Sequence, residues 1–303
     1  MKIAIAGLGR MGSQIAQKLF EGGYEVMVHN RSIQKIEEMR SVGVSGSLQK
    51  EDIVNFFGEE INIIWIMIPA EVVDEELDSW LKIVPKGSVL IDGGNSNFKN
   101  TIRRAKKVEE AGSVLLDIGT SGGVWGYKNG FSMMVGGDRD AFEKIESLLV
   151  CLANPKGAYK HFGSSGSGHY VKMVHNAIEY GMMESFAEGY RLLKEGHYKD
   201  LDLISAGEVW QNGSVIASWL NELITNALKE KPDFDKIDGF VAESGEARWA
   251  LEVAKEKNIE MPSIQASFDV RLESQKGKTN FATKMLALTR NAFGGHKINE
   301  EKK

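Results

Sequence analysis

The chain has 303 residues, of which 42% are hydrophobic and 26% charged, so it is an ordinary soluble globular protein with room for two domains. A net charge of −5 argues against bulk nucleic-acid binding, and a single cysteine, Cys151, excludes an internal disulfide and fits a reducing compartment. Six scattered histidines and one cysteine contain no metal-ligand spacing.

Residues 2–6 form a short apolar strand that runs into Gly7-Leu8-Gly9-Arg10-Met11-Gly12, and residues 13–21 have helical periodicity. A strand starting at Lys2 leaves no room for a signal peptide, and the longest apolar run, residues 63–70, is too short to span a bilayer. A cytoplasmic protein without membrane partners is expected. The GxGxxG pattern stands in the strand–turn–helix setting of a dinucleotide fold. Gly7 serves the tight turn, Gly9 the approach of a pyrophosphate and Gly12 close helix–strand packing, while the helix start offers N–H groups to phosphates.

The second strand, residues 25–28, ends in His29-Asn30-Arg31-Ser32. The acidic residue that usually holds an NAD ribose is missing there. Arg31 and Ser32 suit a 2′-phosphate, so NADP is the expected cofactor and NAD the alternative; a solvated loop arginine would look the same. Residues 61–68 are a near-continuous apolar run, as in a strand buried on both faces, and Ile68-Pro69-Ala70 lies at its ligand-binding end. Strands at 88–92 and 113–117 lead into Gly93-Gly94-Asn95-Ser96-Asn97 and Gly119-Thr120-Ser121-Gly122-Gly123. One such loop is ordinary turn chemistry; two beside a dinucleotide motif point to an anion site. Residues 132–135 form a later strand and 142–149 a helix.

Gly163-Ser164-Ser165-Gly166 then breaks the chain into domains 1–165 and 166–303. Amphipathic segments follow at about 168–194, 201–210, 215–228, 247–257, 264–274 and 280–293, and the tail at 297–303 is polar. The fold class is α/β: an N-terminal Rossmann-like doubly wound sheet followed by a mostly α-helical C-terminal domain. In the first of these helices Lys172, His175, Asn176 and Glu179 fall within an arc of about 100°. That stripe is either a solvated polar face or a site.

The motifs together resemble the decarboxylating 6-phosphogluconate dehydrogenases of the β-hydroxyacid dehydrogenase superfamily, in a length similar to the short bacterial form. The resemblance rests on Gly7–Gly12, Asp92-Gly93-Gly94-Asn95-Ser96, Ser121-Gly122-Gly123, the run from Lys172 to Gly181, and Arg290-Asn291-Ala292-Phe293-Gly294-Gly295-His296. It implies a metal-independent reaction of the pentose phosphate pathway, in which Lys172 is the general base at the substrate's 3-hydroxyl and Glu179 the acid that protonates C1. Asn95, which also borders the cofactor, Ser121, Gly122, Gly123, His175 and Asn176 match residues that hold the carboxylate and hydroxyls of the phosphorylated sugar acid. Tyr180 and Arg271 match phosphate-binding positions, and Arg248 stands where long forms usually carry a phosphate-binding lysine. Arg290 and His296 match tail residues that enter the neighbouring subunit's site, which implies a homodimer or homotetramer.

Each assignment has a plainer alternative: a packed His175, ion pairs of Arg248 with Glu246 or Glu252 and of Arg271 with Glu273, and a surface Arg290 at a helix end. The chemistry also asks for a base partly neutral near pH 7, whereas a free lysine titrates at about 10.4, so Lys172 requires burial or nearby positive charge. A dehydrogenase for a non-phosphorylated acid would leave the cationic set unmatched. A non-catalytic NADP-binding protein would have no use for Lys172 together with Glu179.

Overall fold

The computed structural model describes residues 1–230 and 233–299. The chain forms two compact units, Met1–Lys172 and Met173–Lys303.

The first unit alternates strand and helix in the order β1 (Lys2–Ala6), α1 (Arg10–Glu21), β2 (Glu25–His29), α2 (Ile33–Ser41), β3 (Ser45–Ser47), α3 (Lys50–Phe57), β4 (Ile63–Ile66) and α4 (Val73–Leu81). It continues with β5 (Val89–Asp92), α5 (Phe98–Glu110), β6 (Val114–Ser121), α6 (Gly126–Asn129), β7 (Ser132–Gly136), α7 (Arg139–Ala153) and β8 (Tyr159–Gly163). One sheet holds all eight strands in the order β3-β2-β1-β4-β5-β6-β7-β8. Neighbouring strands are parallel except β6 and β7. Every residue of β4 and β5 is buried, which is why these strands are apolar without alternation. The order of connections reverses between β1 and β4, so the carboxyl ends of these two strands flank the crevice where open α/β sheets take ligands.

The two edge strands escape the sequence pattern. β3 is only Ser45-Gly46-Ser47, and a Cβ on Gly46 would lie 2.6 Å from Val28 Cγ2, so the residue is chosen for close approach rather than β-propensity. β8 carries Lys160 and His161 within a half-buried edge. β6 is longer than its apolar run because β7 folds back along it, pairing from Asp117 with Gly136 to Ser121 with Ser132. Gly119 and Thr120, expected in a loop, are therefore strand residues.

The second unit holds most of α8 (Ser167–Glu195), then α9 (Leu203–Gln211), α10 (Trp219–Glu230), α11 (Glu246–Glu256), α12 (Pro262–Gln275) and α13 (Phe281–Gly294). Met183, Ala187 and Tyr190 of α8 pack with Ile224, Leu228, Val241, Met285 and Leu286. Each fully buried aliphatic or methionine side chain of this kind contributes about 1.5–3 kcal/mol. α10 starts at Trp219, four residues later than its periodicity suggests, because the Ser218 hydroxyl accepts the Asn221 N–H. α13 starts at a capping box of Asn280 and Thr283.

Within this core sits a carboxyl group. Glu184 is 6% exposed, and its Oε2 has no hydrogen-bond partner among the described residues. Burial, reinforced by Glu188 and opposed by Arg271, raises its pKa to about 7. The folded state therefore binds a proton that the unfolded chain, titrating near 4.5, has already released. Stability should fall by up to roughly 1.4 kcal/mol per pH unit between those two values as pH rises. Glu184→Gln should accordingly be more stable than the native chain in denaturant melts at pH 8, with the difference shrinking towards pH 5; a constant difference would show that Glu184 does not titrate in this interval.

Candidate active site

The dinucleotide motif has the geometry its residue types require. Gly7 has φ of +103°, and a Cβ there would lie 2.4 Å from the Met67 carbonyl oxygen and 2.7 Å from Ile68 Cγ2. A Cβ on Gly12 would lie 2.1 Å from the Gly7 carbonyl oxygen. Gly9, in contrast, caps the start of α1 and faces open space, with nothing within 4 Å of a Cβ position. The two outer glycines are used for packing and the middle one leaves a cradle at a helix N-terminus, which fits a pyrophosphate. Leu8 donates its N–H to Asn30 Oδ1 (3.2 Å), tying the turn to the end of β2, while Arg10, Arg31 and Ser32 are exposed and Met11 is partly buried against the core. Ile68, Pro69 and Ala70 follow β4 directly beside Gly7.

Two further loops leave the same end of the sheet. Asn95 is exposed in the turn after β5, where Asp92 Oδ1 accepts the Gly94 N–H (3.2 Å) and Oδ2 accepts the Ser96 hydroxyl (2.7 Å). Ser121 ends β6, and Gly122, with φ of +131°, turns the chain into Gly123 and α6. This segment is clamped to α1. Gln14 donates to the Val124 carbonyl (3.1 Å) and accepts from the Tyr127 N–H (3.2 Å), and Lys18 Nζ donates to the Tyr127 carbonyl (2.9 Å). The Tyr127 hydroxyl donates to Glu21 (2.6 Å), which lowers the carboxyl pKa and raises that of the phenol. Gln14, Lys18 and Glu21 share one face of α1, so the helix that begins at the GxGxxG turn also holds the Ser121–Gly123 loop.

Lys172 is located by the start of α8. Asp117 Oδ1 accepts the Gly166 N–H (2.7 Å) and Oδ2 the His169 N–H (2.8 Å), both as buried contacts. His169 Nδ1 meets Thr101 Oγ1 at 2.8 Å. A Cβ on Gly168 would lie 2.4 Å from the Met134 carbonyl oxygen, and one on Gly119 would lie 2.3 Å from Lys172 Cβ. The helix thus rests on the sheet through two glycines, and Lys172 is 6% exposed. It is not part of a solvated stripe.

In the second unit, α8 continues with His175, Asn176, Glu179 and Tyr180. His175 Nδ1 meets Asn176 Oδ1 at 2.8 Å, and Asn176 Nδ2 donates to Glu246 Oε2, a buried contact. Ser244 Oγ donates to the same oxygen (3.3 Å), and Ser244 N–H donates to the Tyr180 hydroxyl (3.1 Å). Glu246, at the first position of α11 and 2% exposed, therefore fixes both Asn176 and Tyr180. Arg271 stacks on Tyr180 with its guanidinium carbon 3.2 Å from the ring centroid and points Nη2 at Met183 Sδ (3.6 Å).

Arg271 is 2% and Arg290 9% exposed, and neither has an ion-pair partner among the described residues. Burial pushes Arg271 down to about 10, with Tyr180, Glu179 and Glu184 opposing and Arg290 assisting, so it is still charged at neutral pH. Arg290 is lowered by burial and supported by Tyr180 and Glu179. Glu273, the plain partner expected for Arg271, instead binds Lys276 and Lys278. Arg248 is bound to Glu243 (2.6 Å), not to Glu246 or Glu252, and lies over Phe268; half of its side chain is exposed. His296 packs edge-on against Phe293.

Asp117, Gln14, Ser244 and Glu246 were invisible to motif reasoning, since each acts through tertiary contacts. Ser244-Gly245-Glu246, a glycine and an acid at a helix start, was the only local hint.

Residues 2–163 match the family model of the NAD binding domain of 6-phosphogluconate dehydrogenase, and residues 168–303 match that of the 6-phosphogluconate dehydrogenase C-terminal domain. An NAD(+)-dependent, decarboxylating 6-phosphogluconate dehydrogenase of Haloferax volcanii is 37% identical over 300 residues, covering 98% of both chains. A chloroplastic decarboxylating 6-phosphogluconate dehydrogenase of Arabidopsis thaliana is 32% identical across 94% of this chain and 62% of its own length. Among solved structures, Plasmodium falciparum 6-phosphogluconate dehydrogenase, studied with NADP+ and with 6-phosphogluconate, superposes with a TM-score of 0.83 at 28% identity, covering 97% of this chain and 70% of that one.

The glycine geometry separates two kinds of substitution. Gly12→Ala should lower the melting temperature, because its Cβ has no space. Gly9→Ala should leave the melting temperature unchanged and weaken binding of reduced dinucleotide, measured by fluorescence titration, by about tenfold or more, since the methyl group occupies the anion cradle. Equal affinity in Gly9→Ala would move the phosphate site away from this turn.

Proposed function

The chain belongs to the 6-phosphogluconate dehydrogenase family, and from that premise we propose that it oxidatively decarboxylates 6-phosphogluconate to ribulose 5-phosphate and CO2 with reduction of NADP or NAD. The observation that carries the choice of a phosphorylated acid is the pair Arg271 and Arg290. Two buried guanidiniums without a carboxylate partner among the described residues are costly unless an anion with several acceptor oxygens completes them. A phosphate monoester does so, with the Tyr180 hydroxyl beside it.

Residues 7–12 hold the pyrophosphate, Asn30, Arg31 and Ser32 the adenosine end, and Ile68, Pro69, Ala70 and Asn95 border the nicotinamide. The dinucleotide, when bound, supplies a hydride acceptor. Lys172 Nζ takes the proton from the 3-hydroxyl of the sugar acid. Asn95, Ser121, Gly122 and Gly123 hold its carboxylate and hydroxyls, together with His175 and with Asn176, which Glu246 orients. After loss of CO2, the Glu179 carboxyl delivers a proton to C1. Lys172 and Glu179 are seven residues apart on one helix, about 10 Å of axial rise, a span that suits the two ends of a short substrate segment. Arg31 and Ser32, with no acidic residue beside them, support a preference for NADP. In this reading residues 1–165 are the dinucleotide-binding domain, residues 166–303 serve substrate binding and oligomerisation, and the enzyme works in the cytoplasm as a homodimer or homotetramer.

Incubation with 6-phosphogluconate and either cofactor should release one CO2 per reduced dinucleotide, with the higher kcat/KM for NADP. Reduction without CO2 would indicate a different β-hydroxyacid dehydrogenase, and no reduction a binding protein. Lys172→Met should lose at least about 100-fold in turnover while still binding NADP.

The resemblance also assigns Arg290 and His296 to a partner's site, whereas α13 brings Arg290 within electrostatic reach of Arg271 and Tyr180 of its own chain. We therefore propose that Arg290 serves its own chain. Mixed oligomers of Lys172→Met and Arg290→Ala chains should stay inactive; recovery of about a quarter or more of native activity would establish exchange between subunits.

A further inference from the structure

Arg104 is a third buried guanidinium; it lies in the first unit, and no motif and no step of the proposed reaction uses it. It projects from the inner face of α5 with Thr101 and Val108 and is 2% exposed. All of its nitrogens have acceptors. Nε and Nη2 donate to Asp74 Oδ2 (3.2 and 2.9 Å), and Nη2 also donates to the Ala70 carbonyl (3.0 Å). Nη1 donates to Ser96 Oγ (3.0 Å) and reaches Asp92 Oδ2 at 3.4 Å.

These acceptors belong to two different loops. Ala70 lies in the turn from β4 into α4, next to Ile68 and Pro69, and Asp74 in the first turn of α4 that follows it. Asp92 and Ser96 bracket the turn after β5 that carries Asn95. Arg103 holds Asp74 from outside (2.7 and 2.9 Å), and the hydrogen bonds from Arg104 are the main reason the Asp74 carboxyl lies below its usual range.

We propose that Arg104 is a positioning residue that locks the β4–α4 and β5–α5 loops in a single register, so that the nicotinamide border at 68–70 and the substrate contact at Asn95 stay aligned with each other. The proposal rests on the roles given to those loops under the proposed function. A planar fork suits the task. Its two edges face two loops at once, which the point charge of lysine cannot do. A buried arginine that served only as a charge for Asp92 would have no reason to engage a main-chain carbonyl and a hydroxyl on separate loops.

The test uses the full chain with Asp74→Asn, Ser96→Ala, their double variant, and the same three in an Arg104→Lys background, which keeps the buried charge compensated. Melting temperature, affinity for reduced dinucleotide without sugar acid, and kcat and KM for 6-phosphogluconate are measured on each. Arg104→Lys should lower kcat/KM by about 10–100-fold, the order expected for a misplacement near 1 Å. Asp74→Asn, on the side of the 68–70 loop, and Ser96→Ala, beside Asn95, should each weaken dinucleotide binding by about threefold or more, and the double variant should be no worse than the worse single one. In the Arg104→Lys background both substitutions should be silent.

Multiplicative effects in both backgrounds, or an Arg104→Lys enzyme with native kcat/KM, would overturn the proposal. If the native chain binds dinucleotide but does not turn over 6-phosphogluconate, the substrate reading fails, while the dinucleotide affinities still decide the role of Arg104.

Discussion

Asp117 has no exposed surface, and both oxygens of its carboxylate serve one helix, accepting the N–H groups of Gly166 and His169 where α8 begins. Helix starts leave N–H groups without partners, and a carboxylate there also meets the positive end of the helix dipole. Hydrogen bonds to a charged group are worth about 1.5–3 kcal/mol each, more than enough to choose one starting point for α8 over a neighbouring one. The register of Lys172, His175, Asn176, Glu179 and Tyr180 is fixed from there. A shift of one residue would turn each of them by about 100° around the axis. Gly119 and Gly168 remove the remaining freedom by letting helix and sheet touch without side chains between them.

The second unit solves a different problem, that of keeping positive charge in a place without water. Arg271 is covered by the face of Tyr180, and Tyr180 is held at its hydroxyl by Ser244, whose own hydroxyl donates to Glu246. Glu246 in turn orients Asn176. Without an ion pair, the guanidinium is left available at the cost of desolvation, a cost that a bound anion can offset. Glu184, raised to about 7, fits the same arrangement: a carboxyl beside Arg271 that is protonated in part at neutral pH competes less with such an anion than a full carboxylate would.

Elements with strong periodicity or a continuous apolar run were legible from residues alone: β1, β4 and the α-helices α8 to α13 appear within a few residues of their expected bounds. The GxGxxG turn was legible because each glycine answers a local steric demand. β3 and β8 were not, since an edge strand such as Ser45-Gly46-Ser47 is defined by its neighbour rather than by its own composition. The Lys172 stripe was ambiguous by spacing, because a solvated face and a site have the same period; the burial of Lys172 and Asn176 argues against the solvated face. Asp117, Glu246 and Arg104 were out of reach for a related reason. Each lies far in sequence from part of what it holds, by 52, 70 and 34 residues for His169, Asn176 and Ala70 respectively. A carboxylate at the end of an apolar strand is the trace that Asp92 and Asp117 leave in the sequence, and it is a weak one.

β6 concentrates these demands. Asp117, Gly119 and Ser121 alternate along it, so all three point to one side of the sheet: the cap of α8, the notch under Lys172 and the first residue of the glycine loop. Evolution of a new substrate range in this scaffold is therefore channelled. An insertion or deletion of one residue within β6 would reverse the facing of whatever follows it, whereas changes beyond Ser121, in the segment clamped to α1, alter the loop without disturbing the packing under Lys172. Divergence among relatives of different specificity would accumulate on the far side of that serine.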